Sequence, residues 1–129
     1  MIVLDASTAI EVFAKSPLGE RIASRVLREE LHAPHLIDIE FTSALRRLVL
    51  KGGLDGVIAG YALERLRMWR IERHMHTLLV GRIWELRDSI SVYDAAYVAL
   101  AEILGAPLVT CDAKLSRSHG HRAQVILLQ

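Results

Sequence analysis

The stretch Ser91-VYDAAYVALAEILGAPLVTC-Asp112 decides the architecture. Its first part runs from Ser91 to Leu104 with Tyr97, Val98, Ala101 and Leu104 at helical spacing. Gly105 follows as a C-cap residue. Its second part, Pro107 to Cys111, is a short apolar run that reads as a buried strand and leads straight into Asp112. Working outward, the same alternation recurs. Strands are predicted at Ile2–Leu4, around His32-Ala33-Pro34, at Met68–Arg73 and at Gln124–Leu128. Helices are predicted at Ser7–Lys15, Leu18–Leu31, Leu36–Lys51, from Leu54 to about Arg67, at His76–Arg87 and in a short turn after Asp112. Short apolar runs alternating with helices predict an α/β fold, a parallel sheet covered on both faces. With no repeat, low-complexity tract or linker, residues 1–129 read as a single domain.

The bulk numbers narrow the function. The chain of 129 residues is 52% hydrophobic and 24% charged, with a mean hydropathy of +0.28. That composition supplies a core and some apolar surface for an oligomer interface. No apolar run approaches the ~18 residues of a membrane span. The N-terminus has neither a basic start nor an apolar h-region. The single cysteine, Cys111, cannot form an internal disulfide. These features predict a cytoplasmic protein used as it is made. A net charge of +1 advertises no global attraction for nucleic acid. Arg outnumbers Lys 13 to 3, which suits bidentate phosphate contacts and would equally follow from a GC-rich coding sequence.

Sites in open α/β sheets form at the carboxyl ends of the strands. Asp5 directly follows one predicted strand and Asp112 another, so both carboxylates point to the same edge. Glu40 lies on or beside the apolar stripe Ile37, Phe41, Ala44, Leu45 and Leu48. Asp94 precedes Tyr97 and Val98 by three and four on its own helix. Asp38, a turn from Glu40, is a minor candidate. Each acid also has a purely structural reading: Asp5 and Asp112 as helix caps, Asp94 in a capping box with Ser91, Glu40 as a first-turn acid. Two carboxylates ~5 Å apart repel by roughly 3 kcal/mol at an effective dielectric near 20. Four in one pocket must protonate, splay into water or bind a cation. Oxygen-only donors suit Mg²⁺ or Mn²⁺. Waters on such a cation can attack phosphorus, so the pattern suggests phosphodiester hydrolysis. Ser7 and Thr110 are placed to orient the acids.

These residues carry a family resemblance. "VLDAST" (3–8), "DIEFTSALRRLVLKGGL" (38–54) and "YDAAYVALAEILGAPLVTCDAKL" (93–115) resemble, in order, the PIN-domain ribonucleases of the VapC toxin family. The resemblance covers nearly the whole chain. It implies a three-layer fold with a five-stranded parallel sheet and an endoribonuclease dependent on Mg²⁺ or Mn²⁺. It also implies RNA as substrate, a homodimer, and inhibition by a cognate VapB-type antitoxin. The implied acidic site is Asp5, Glu40, Asp94 and Asp112, with Asp5 and Asp94, and then Asp112, holding metal. Some relatives have a further acid after Asp112; here "AKLSRS" (113–118) puts Ser116 in that region, so a second tightly held ion is not implied.

Arg46, Arg47 and Lys51 follow Glu40 on its helix and could track an RNA backbone; Arg65, Arg67, Arg70 and Arg73 form a second basic run. The His-x-His pairs at 74–76 and 119–121 read as polar surface, Cys111 as a buried thiol, and Trp69 and Trp84 as core or interface. Gly56 and Gly60, four apart, hint at close helix packing. No glycine-rich phosphate loop is present. A dehalogenase-type phosphatase would need a second Asp where this chain has Ser7. The remaining alternative is a non-catalytic PIN-like module that binds RNA or protein.

Overall fold

The computed structural model describes residues 1–14 and 16–129. The predicted end of the first helix at Lys15 lies outside the described residues. Strands β1 (Ile2–Leu4), β2 (Leu31–Pro34), β3 (Ile71–His74), β4 (Leu108–Thr110) and β5 (Val125–Leu127) form one sheet in the order β3-β2-β1-β4-β5. Every neighbouring pair is parallel. The helices are α1 (Ala6–Phe13), α2 (Pro17–Val26), α3 (Leu36–Leu50), α4 (Gly56–Met68), α5 (Val80–Glu85), α6 (Val92–Leu104) and α7 (Ala113–Ser116). The result is the expected three-layer α/β fold.

β1 is central because it is fully apolar and buried on both faces, the signature of an interior parallel strand. α6 lies across β1, β2 and β4, with α5 against it. From Ala95 to Ala101 every residue of α6 is buried, so this helix is enclosed all round rather than along one stripe. Its four alanines in that run let it sit close to its neighbours. Gly105 ends it at φ +61°, the left-handed conformation that glycine adopts without strain. α1 packs against α2 and α3. Gly19 is needed at the α1–α2 contact, where a Cβ would stand 2.3 Å from the carbonyl oxygen of Ala14 and 2.5 Å from that of Glu11.

Element boundaries differ from the sequence expectations in three places. Leu31 continues the helical pattern of α2, yet it belongs to β2, where it pairs with Ile2 and Ile71 and is buried by the sheet. α4 runs on to Met68, so β3 starts only at Ile71. The helix expected over 76–87 opens as a single 3₁₀ turn at Thr77–Leu79 before α5. Gly56 and Gly60 have nothing within 4 Å of an added Cβ, so no helix among the described residues packs tightly on them. Trp69 packs inside, edge-on to Phe13 with centroids 5.3 Å apart, whereas Trp84 is 64% exposed. The histidine motifs are more than polar surface: His76 Nε2 accepts the Leu36 N–H at the start of α3, and His121 Nε2 lies 2.8 Å from Ser118 Oγ.

Candidate active site

The carboxyl ends of β1 and β4 place the acids. Asp5 leaves β1 and caps α1, its Oδ1 accepting from the Thr8 N–H at 2.9 Å. Asp112 leaves β4 and caps α7, its Oδ1 accepting from the Lys114 N–H at 2.8 Å. Ser91 caps α6 by accepting from the Asp94 N–H, which fixes Asp94 in the first turn. Glu40 projects from α3, where its Oε1 accepts from the Tyr97 hydroxyl at 2.6 Å. Capping and a place in the cleft are therefore compatible: for Asp5 and Asp112 the cap bond sets the direction of the carboxylate and leaves an oxygen free.

All four acids line one cleft of about 480 Å³, together with Ser7, Ile10, Glu11, Ser43, Arg47, Tyr97 and Cys111 among others. Asp5 forms its floor at 6% exposure. Ser7 Oγ donates to Asp5 Oδ1 at 2.7 Å, and Thr110 Oγ1 donates to Asp5 Oδ2 at 2.5 Å. Thr110 also accepts from the Asp112 N–H, and Ser7 from the Cys111 N–H, so two hydroxyls lock the end of β4 to the end of β1. Burial raises the pKa of Asp5 against the pull of these donors. Burial also raises that of Glu40, partly offset by the Tyr97 hydrogen bond and reinforced by Asp94 and Asp5. Asp94 is raised by burial and by Asp112 and Asp5. The acids thus feel one another, as the charge argument requires.

The donor set fits a hard divalent cation. It is oxygen-only, and Asp5 has about four lone-pair sites of which three take hydrogen bonds. No three of the four carboxylates bring oxygens within 4.8 Å of one another among the described residues. One or two direct carboxylates with water filling the remaining positions is the manner of Mg²⁺.

Other expected residues fall differently. Arg47 reaches the cleft, and its Nη1 lies 3.3 Å from Ser43 Oγ. Arg46 and Lys51 are exposed and do not line it. Asp38 is turned away into a bidentate pair with Arg73, whose guanidinium also donates to the carbonyl of Leu66. Of the second basic run, Arg73 is thereby structural, Arg67 pairs with Glu64, and Arg65 stacks over Phe13. Cys111 is half-buried just beyond β4, and burial raises its thiol pKa. Tyr97, Ser43 and Glu11 were not anticipated at the site. Tyr97 had a signal, three residues after Asp94 on one face; a buried tyrosine hydroxyl also needs a partner.

The PIN domain model matches residues 2–119. This chain belongs to the PIN-domain family. Within it, the chain is 38% identical to Ribonuclease VapC12 of Mycobacterium tuberculosis, over 99% of both chains. It is 41% identical to VapC ribonuclease Mb0985 of Mycobacterium bovis, over 90% of this chain and 89% of that one. The PIN fold is shared with a toxin–antitoxin complex from Klebsiella pneumoniae at a TM-score of 0.72 and 12% identity, covering 100% of this chain and 98% of that one. The VapC relatives place this PIN domain among the VapC ribonucleases.

Proposed function

We propose that the chain, acting as one PIN domain over residues 1–129, is a metal-dependent endoribonuclease and the toxin of a toxin–antitoxin pair. The observation that carries this is the meeting of Asp5, Glu40, Asp94 and Asp112, from four separate elements, on one cleft. Asp5 and Asp94 would hold Mg²⁺ or Mn²⁺ directly, with Asp112 reaching it through bound water, and the ion would supply Lewis-acid stabilisation of phosphate charge and acidify bound water. Arg47 offers a guanidinium to a scissile phosphate on the rim. Glu40, with Oε1 held by Tyr97, keeps Oε2 to take a proton from the attacking water as the new P–O bond forms and the old one breaks. Ser7 and Thr110 hold Asp5 still.

A toxin–antitoxin complex among the structural neighbours supports a cognate antitoxin partner. A cognate VapB-type antitoxin would enter this acidic cleft with a basic side chain and compete with RNA. A second copy would cover the apolar groove between α5 and α6, lined by Leu36, Val80, Ile83, Trp84, Val92 and Tyr93. No helix among the described residues is long and apolar enough to cross a membrane. We assign the chain to the cytoplasm, where RNA is available.

The test is cleavage of RNA by purified protein with Mg²⁺ or Mn²⁺, beside EDTA and Asp94→Asn. We expect discrete cuts that vanish in EDTA and fall by roughly 10²-fold or more in the variant. Cuts that persist in both would overturn the assignment. RNA binding without cleavage at any metal concentration would favour the non-catalytic module.

A further inference from the structure

A second cluster of ligand atoms lies away from the acidic cleft. Along β3 side chains alternate between faces. Arg73 points to α3 and α4, where it meets Asp38 and Leu66, so Glu72 and His74 occupy the opposite face. His32 stands beside Glu72 in the parallel register of β2 and β3. Among the described residues, His32, Glu72 and His74 are the only three His, Cys, Asp or Glu side chains whose donor atoms all fall within 4.8 Å of one another.

The hydrogen bonds around His32 fix which nitrogen is free. His32 is 3% exposed, and its Nε2 lies 2.8 Å from Glu30 Oε1. A carboxylate oxygen only accepts, so Nε2 carries the proton and Nδ1 presents a lone pair. That lone pair faces His74 Nε2 at 2.8 Å and Glu72 Oε2 at 3.8 Å. A carboxylate behind one imidazole nitrogen, with the other nitrogen aimed at further donors, is the arrangement that orients histidine toward a metal.

We propose that His32 Nδ1, His74 Nε2 and a Glu72 carboxylate oxygen form a binding site for a borderline divalent ion of the Zn²⁺ class, distinct from the four-carboxylate cleft. Tetrahedral Zn²⁺ with bonds near 2.0–2.1 Å separates its ligand atoms by about 3.3 Å. The two spacings at His32 Nδ1, 2.8 and 3.8 Å, straddle that value, so small side-chain shifts complete the shell. On binding, the proton that His74 Nε2 shares with His32 moves to His74 Nδ1, and water takes the fourth position. Two imidazoles select this ion class over Mg²⁺. The ion would tie the edge strand β3 to β2, next to the His74 carbonyl that already accepts from the His35 N–H before α3.

The test is a Co²⁺ titration of the untagged full chain in excess Mg²⁺, read by the visible ligand-field absorption of tetrahedral cobalt. One Co²⁺ per chain is expected, displaced by Zn²⁺. His74→Gln should abolish the band, with far-UV circular dichroism confirming its fold. Glu72→Gln, at an exposed position, should weaken binding as an independent check, and Glu30→Gln should weaken it by roughly 10–100-fold. Asp94→Asn should leave the band intact. Absence of the band in wild type, its survival in a folded His74→Gln protein, or its loss in Asp94→Asn with retention in Glu72→Gln would each overturn the proposal. The last pattern would put the ion in the carboxylate cleft.

Discussion

Thr110 makes two bonds with one hydroxyl: it donates to Asp5 and accepts from the Asp112 N–H. Thr110→Val keeps the shape and removes both. Leaving a buried carboxylate and a backbone donor short of partners should cost about 1–3 kcal/mol, measurable by urea unfolding. Tyr97 acts through Glu40. Its hydrogen bond favours the charged carboxylate and so pulls the Glu40 pKa down. Tyr97→Phe should therefore raise that pKa further. The acid limb of the cleavage pH–rate profile should move to higher pH, with a loss of roughly 10-fold at its acid end. A profile unmoved on the pH axis would remove Tyr97 from this role. Much at this scale is visible in the sequence, because strand ends and caps are local signals. Arg47 is a case where periodicity says more than adjacency: it stands seven after Glu40, two helical turns along the same face, whereas Arg46 rotates away and Lys51 lies a further turn on, at the C-cap of α3. The Asp38–Arg73 pair spans 35 positions, and nothing in the local spacing of either residue announces it.

Among elements, α5 is short and is tied to α6 by charge. Arg82 donates to both oxygens of Glu102, and Glu102 also accepts from the Arg122 N–H. The Arg82 hydrogen bond holds the Glu102 pKa below its ordinary value. A carboxylate with a depressed folded pKa stabilises the protein above its unfolded pKa and loses that contribution as pH falls through the folded one. Glu102→Gln should thus lower the melting temperature at pH 7, and the difference from wild type should shrink as the pH drops below the ordinary carboxylate range. A constant difference across pH would assign the effect to packing. Elements themselves were legible where capping chemistry marks them, as at Ser91 and Gly105. They were less so where burial comes from a distant partner: Leu31 fits a helical pattern locally, and its pairing with Ile2 and Ile71 makes it a strand residue.

At the scale of the molecule, Val80, Trp84, Val92 and Tyr93 leave a continuous apolar groove facing solvent. Such patches mark contacts with other chains. Trp84→Asp should convert the proposed dimer to a monomer in light scattering at equal concentration, with the far-UV spectrum unchanged. A wild type that is monomeric at every concentration would leave this face to another partner. Sequence could show that apolar residues were in excess, but not that these four gather on one side, since they come from two helices whose packing decides it.

The central place of β1 has a consequence for how the protein is made. The ribosome synthesises Asp112 and the strand that aligns it more than a hundred residues after Asp5. At 5–20 residues per second, the interval is about 5 to 20 s. Throughout it, β1 lacks β4, Asp5 lacks the Thr110 hydroxyl, and the cleft has one side missing. The cleft of a nascent chain therefore stays incomplete, and its acids apart, until β4 has followed β1 out of the ribosome.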